Sequence, residues 1–167
     1  MLIGLSPSTP KNQVATNGAV FDADVANFEK LVIGGSAQRP ILVEFWAPWC
    51  GPCKQLMPIL ERVTLAQNGK IALAKVNIDE NPELAQAFRV QSVPMVVVMM
   101  QGQSVTAFAG VLPVAEIENL VSQLVAHAQK NQPPSFDIVA ALKKDQQWVA
   151  LSHYVEASEI YLHVLKQ

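Results

Sequence analysis

The chain has 167 residues, of which 50% are hydrophobic and 16% charged, so it can fill the core of one ordinary domain with residues to spare and does not have the composition of a disordered polymer. Its formal net charge of −2 offers no long-range attraction to phosphate backbones or anionic lipid. Nucleic acid and membrane surfaces are thereby excluded as expected partners, and proteins or small molecules remain.

The opening stretch, MLIGLSPSTPKNQVATNG, is rich in Pro, Ser, Thr, Asn and Gly and lacks apolar periodicity, so residues 1–18 are expected to form a disordered tail. It has no basic first segment, and its apolar run ends at Leu5, well short of a signal peptide's hydrophobic region. No run approaches the roughly 18 to 20 apolar residues of a membrane span. The expectation is a soluble, cytoplasmic protein.

From AVFDADVANFEKLVIGG onward the pattern becomes regular. Phe21, Val25, Phe28, Leu31 and Val32 fall at helical spacing, and Gly34-Gly35 is a stop. PILVEFWA is short and almost wholly apolar, as in a strand covered on both faces. PCKQLMPILERVTLAQ has helical spacing at Leu56, Ile59, Leu60 and Val63, carries a kink-prone Pro58, and ends at Asn68-Gly69. IALAKVNID predicts another buried strand, NPELAQAF a helix opened by Asn81 and Pro82, and PMVVVMM a further strand. A QGQ turn leads into SVTAFAG, an antiparallel partner, before the helix PVAEIENLVSQLVAHAQ. The order βα, βα, β, α, β, β, α implies a central mixed sheet covered by helices, with the cysteines where the second strand runs into its helix. KNQPPSFD predicts a linker over 130–135, because Pro133-Pro134 cannot continue a helix, and a helical pair follows over 136–167.

The chain's only cysteines, Cys50 and Cys53, stand in EFWAPWCGPCKQLMP. A zinc site would need about four ligands, and His127, His153 and His163 have no close spacing to the thiols. A merely packed pair fits poorly with a Gly-Pro turn at a helix start. A redox pair uses every residue. Cys50 would stand at the helix N-terminus, where free amides and the helix dipole stabilise a thiolate, and would be the attacking sulfur. Cys53, one turn on, would resolve the mixed disulfide. Gly51 permits the sharp turn, and Pro52 suits a first helical turn. Glu44, sharing a strand face with Leu42 and Trp46, is either an acid at a sheet edge or a buried carboxyl that takes the Cys53 proton, with Lys75 on the neighbouring strand tuning it.

These residues resemble the thioredoxin family. The likeness spans about Phe21 to His127 and includes WCGPC, LAKVNIDENP, the Val93-Pro94 pair ahead of a strand, the Gly102 turn and Gly110. It implies an α/β thioredoxin fold, a central mixed five-stranded sheet flanked by helices, over residues 19–129. It also implies a protein-disulfide reductase in which Cys50, Cys53, Glu44 and Lys75 are catalytic, with Glu44 in the place of the family's buried aspartate. Pro94 would be a cis proline, and Trp49, Gly51, Pro52, Val93, Pro94 and Gly110 would bind clients. Without the likeness, Pro94 would be an ordinary strand-start proline. No cofactor or metal would be bound; electrons would come from NADPH through thioredoxin reductase. Met95, where threonine is common, is expected to make the client groove more apolar.

Beyond His127, WVALSHYVEASEIYLHVLKQ resembles a tetratricopeptide repeat, with Trp148, Ala157 and Tyr161 at motif positions, although Lys144 and Asp145 depart from the pattern. One repeat cannot bury its own apolar face, so the pair is either the first repeat of a truncated array, or it docks on the first domain, or it packs against another chain as a homo-oligomer. The combination is similar to the bacterial thioredoxin–tetratricopeptide repeat co-chaperones, or chaperedoxins. That likeness implies unfolding or disulfide-bonded client proteins and a chaperonin or other folding machinery as partners. The alternative function is a holdase or adaptor that works through its C-terminal helices, with the thiols secondary.

Overall fold

A computed structural model describes residues 18–130. The tail expected over 1–18 lies outside the described residues apart from Gly18, the linker over 130–135 apart from Lys130, and the helical pair over 136–167 entirely.

Five strands form one sheet: β1 (Val20–Asp22), β2 (Ile41–Trp46), β3 (Ala72–Asn77), β4 (Met95–Met100) and β5 (Gln103–Ala109), in the spatial order β1-β3-β2-β4-β5. β3 pairs parallel with both β1 and β2, whereas β4 runs antiparallel to β2 and β5 antiparallel to β4. This is the mixed sheet that the alternating pattern implied. Three α-helices flank it: α1 (Gly51–Leu65), α2 (Pro82–Ala87) and α3 (Val114–Gln129). Among the described residues no helix is long and apolar enough to cross a membrane.

The segment around Phe21 corrects the helical reading at its start. Phe21 lies in β1, and the helix begins only at Glu29, as a π-helical stretch Glu29–Gly34 followed by a 3-10 turn Gly35–Ala37. Phe28 and Val32 are fully buried and keep the inward spacing that the pattern showed, so periodicity located the buried face but not the helix type. α1 continues past Pro58, whose missing amide removes one bond from the helical ladder without ending it. Asn81 does precede α2, yet its side chain does not cap that helix. Instead Asn81 Oδ1 accepts from the Val25 amide at 3.1 Å, while Nδ2 donates to the Asn77 carbonyl at 3.1 Å. The β4–β5 hairpin turns at Gln101 and Gly102, with φ of 51° and 76°, the left-handed pair that suits strand twist. Its tip is held down by Ser36, whose Oγ accepts from the Gly102 amide at 2.8 Å.

Period-two alternation divides the core in two. Leu42, Leu73, Val96 and Val98 face α1 and α3, against Leu56, Leu60, Leu120 and Leu124. Val43, Phe45, Ala74 and Val97 face the other way, against Phe28, Val32, Leu84 and Phe88. Phe88 meets Phe28 edge-on at 5.5 Å between ring centroids and Phe45 at 5.4 Å, so one side chain joins β2, α2 and the π-helical stretch. Replacing Phe88 with Ala is expected to lower unfolding free energy by about 3 to 5 kcal/mol in urea titration, the range for a buried aromatic that leaves a cavity. A loss below roughly 1 kcal/mol would show that this cluster does not anchor α2.

Candidate active site

β2 ends at Trp46, and after four intervening residues the chain enters α1 at Gly51. Cys50 is the N-cap residue, in extended conformation at φ −90° and ψ 107°, and its Sγ accepts from the Cys53 amide at 3.2 Å. A free donor of the first helical turn is therefore directed at the sulfur, which is how a helix start stabilises negative charge there. Cys50 and Cys53 form a disulfide with Cα atoms 5.3 Å apart. Pro52 occupies the first turn of α1, where no amide is required. Both sulfur-bearing residues are buried, at 4% and 1% exposure, under Ala47, Trp46, Ile78 and Val93.

Around this disulfide the predicted client residues separate into an exposed rim and a floor. Trp49 is 68% exposed, a large apolar surface facing solvent, and its Nε1 donates to Asp79 Oδ1 at 3.2 Å. Gly51 and Pro52 are exposed beside it. The Val93–Pro94 peptide is cis, and Val93 packs against the cysteines. The Gly110 amide donates to the Pro94 carbonyl at 2.8 Å; Gly110 has φ of 82° and open space where a Cβ would stand. All six residues assigned to client binding thus gather at one end of the sheet. Met95 does not join them: it is 2% exposed and points into the core with Phe45 and Val97. Alternation along β4 decides this, because Met95, Val97 and Met99 share the face opposite to Val96 and Val98.

Glu44 is fully buried on the β2 face that α1 covers, and neither carboxyl oxygen has a hydrogen-bond partner among the described residues. Burial pushes its pKa from 4.5 up to about 8, opposed by the nearby Lys75 ammonium and reinforced by the Glu61 carboxylate. The reading of Glu44 as an acid at a sheet edge is corrected: β2 is flanked by β3 and β4. Lys75 sits directly opposite Glu44 in the β2–β3 register, but its Nζ donates to Glu61 Oε1 at 3.0 Å. A cavity of about 260 Å³ beside them is lined by Trp46, Cys53, Lys54, Met57, Pro58 and Glu61.

Glu61, Asp79 and Ile78 escaped the sequence reading. For Glu61 a signal existed: Cys53, Met57 and Glu61 recur every four residues and lie along one stripe of α1. Among the described residues no three His, Cys, Asp or Glu side chains converge as a metal shell.

Between pH 4.5 and about 8 the folded protein holds a proton on Glu44 that the unfolded chain has released. The corresponding stability is complete below pH 4.5 and declines as pH rises to about 8. Urea titrations of the oxidised protein should show it as a fall of up to about 1.4 kcal/mol per pH unit relative to Glu44→Gln, which should be the more stable form at the alkaline end. Parallel profiles for the two proteins would contradict a buried, proton-bearing Glu44.

The sequence profile described as Thioredoxin matches residues 19–123, more than half of the chain. A thioredoxin of Haemophilus influenzae is 38% identical over 98 residues, covering 59% of this chain and 90% of that protein. Thioredoxin M5, chloroplastic, of Oryza sativa is 35% identical over 104 residues, and the aligned part is 62% of this chain and 59% of the rice protein. The bifunctional thioredoxin reductase/thioredoxin of Mycobacterium leprae is 37% identical over 103 residues, 62% of this chain but 22% of its own length. With a buried Cys50–Cys53 disulfide capping α1 beside a cis proline, the chain belongs to the thioredoxin family and carries a thioredoxin-type disulfide oxidoreductase site.

Proposed function

We propose that the protein reduces disulfides in client proteins, with Cys50 as nucleophile and Cys53 as resolving thiol. The observation that carries this is the Cys50 sulfur at the N-terminus of α1, accepting a backbone amide and bordered by an exposed Trp49 and a cis Pro94. In the reducing direction the Cys50 thiolate attacks one client sulfur, forming a mixed disulfide and expelling the other client sulfur as a thiolate that takes a proton from water. Cys53 gives its proton to Glu44, which is ionised while the dithiol is reduced, and attacks Cys50 Sγ. The Cys50–Cys53 bond forms, the Cys50–client bond breaks, the second client sulfur leaves as a thiolate that takes a proton from water, and two electrons have passed from the protein dithiol to the client. When the disulfide is reopened, the proton on Glu44 returns to Cys53 as that sulfur leaves.

The client segment binds across Trp49, Gly51, Pro52, Val93, Pro94 and Gly110. The cis peptide supports an extended segment paired with the Val93 backbone, and the open space over Gly110 leaves room for it. Electrons come from NADPH through a thioredoxin reductase. The Mycobacterium leprae relative, whose name joins a thioredoxin reductase and a thioredoxin, supports that pairing. The finer reading is a cytoplasmic co-chaperone that delivers clients to a chaperonin or similar folding machinery and associates through residues 136–167. It rests on the repeat-like sequence around Trp148 and Tyr161.

NADPH consumption with thioredoxin reductase and a disulfide-bonded client should be rapid and should fall to background in Cys50→Ser. Absence of turnover by the folded, reducible protein would remove the reductase reading and favour a holdase working through 136–167. Deleting residues 135–167 should leave turnover of a small disulfide intact while reducing protection of an unfolding protein; unchanged protection would dismiss the co-chaperone role. Glu44→Gln should slow the resolving step on the order of 100-fold in single-turnover mixing, the contribution of a positioned acid–base group.

A further inference from the structure

Lys75 and Glu44 are register partners on adjacent parallel strands, so their side chains leave the sheet on the same face. A cation in that position is the natural partner of a buried carboxylate. Yet the Lys75 ammonium donates to Glu61 at 3.0 Å, and both Glu44 oxygens are without a hydrogen-bond partner among the described residues. The Glu61 side chain is 36% exposed, so its carboxylate keeps much of its hydration while it holds the lysine. It also lines the cavity that reaches Cys53.

The charged and titratable groups around Glu44 are few. β3 supplies Lys75, with Asp22 of β1 next to it in register. α1 supplies Cys53, Lys54 and Glu61 around the cavity. β4 sets Val96 directly opposite Glu44, and α3 contributes Ile117, Leu120, Val121 and Leu124 to this core.

We propose that Glu61 is a positioning residue of the disulfide site: it ties Lys75 to the cavity rim and withholds that cation from Glu44, so that Glu44 keeps a proton for exchange with Cys53. The proposal rests on the proton-carrying role given to Glu44 above. The physical content is a competition between two carboxylates for one ammonium. If Lys75 turned to Glu44, a buried ion pair would favour the charged carboxylate and the proton would be lost to solvent. With Glu61 as the better-hydrated competitor, Glu44 remains neutral over a wider pH range.

The test is the titration of the Glu44 carboxyl in the oxidised protein, followed by carbon NMR on chains labelled at the glutamate carboxyl carbon. Glu61→Gln should lower the Glu44 midpoint by at least about one pH unit, tenfold in proton affinity, because Lys75 is released toward Glu44. In a Lys75→Met background the same Glu61→Gln substitution should lower the midpoint far less, measured against Lys75→Met alone. An unmoved midpoint in Glu61→Gln overturns the proposal. So does a drop of undiminished size between Lys75→Met and the double variant, since Glu61 would then act by its own charge and not by holding Lys75. In parallel, the pH profile for opening of the disulfide by a small dithiol should move with the midpoint in Glu61→Gln. If Glu44→Gln opens with the wild-type rate and profile, the role of Glu44 itself fails and the functional half of the proposal with it. The midpoint series decides the Glu61–Lys75 half separately.

Discussion

A carboxyl group buried on the central strand, with neither oxygen hydrogen-bonded among the described residues, is the constraint around which this site is built. While the disulfide is closed such a group is held mainly in its neutral form, because an unpaired buried charge costs more than the proton that removes it. The sheet therefore holds a proton on the face that α1 covers. The opposite face of β2 packs Val43 and Phe45 into the Phe28–Phe88 cluster, a second apolar core. One strand thus serves stability on one face and chemistry on the other, and period-two alternation keeps the two apart.

Topology assembles the rest. Because β4 runs antiparallel to β2 and pairs with it directly, the start of β4 lies beside the end of β2, with Met95 opposite Phe45. That brings the cis Pro94 to the place where β2 turns toward α1. The hairpin to β5 then returns the chain so that Ala109 pairs with Met95 and Gly110 reaches the Pro94 carbonyl. A parallel β4 would have left Pro94 at the far end of the sheet from the cysteines. The antiparallel half of the sheet is in this sense a part of the active site.

The surface proposed to meet clients is apolar at its exposed part. Trp49 provides its exposed part, fixed through Asp79, while Val93 and Ile78 cover the sulfurs. Met95 adds nothing to that surface, so an aspect expected to make the groove adaptable is spent inside the core. The cavity beside Cys53 is lined by Lys54, Met57, Pro58 and Glu61 of α1 and by Trp46, and includes none of the proposed client residues.

Much of this was legible before any coordinates. WCGPC at a strand-to-helix junction fixes by local geometry alone a sulfur at a helix start with a second sulfur one turn inward, and the apolar runs fix which segments are buried strands. Gln101-Gly102 announces its hairpin for the same local reason. Phe21 misled because helical spacing and a three-residue strand cannot be told apart over so short a span, and only pairing with β3 separates them. Met95 misled because a strand's face depends on its register with its neighbours. What tertiary structure alone decided is the electrostatics of the site. Glu44, Lys75 and Glu61 come from β2, β3 and α1, and which carboxylate receives the ammonium depends on how α1 lies across the sheet. Sequence determines which charges exist and on which face of an element they sit; burial and the competition between partners, which set their protonation, arise only when the elements pack.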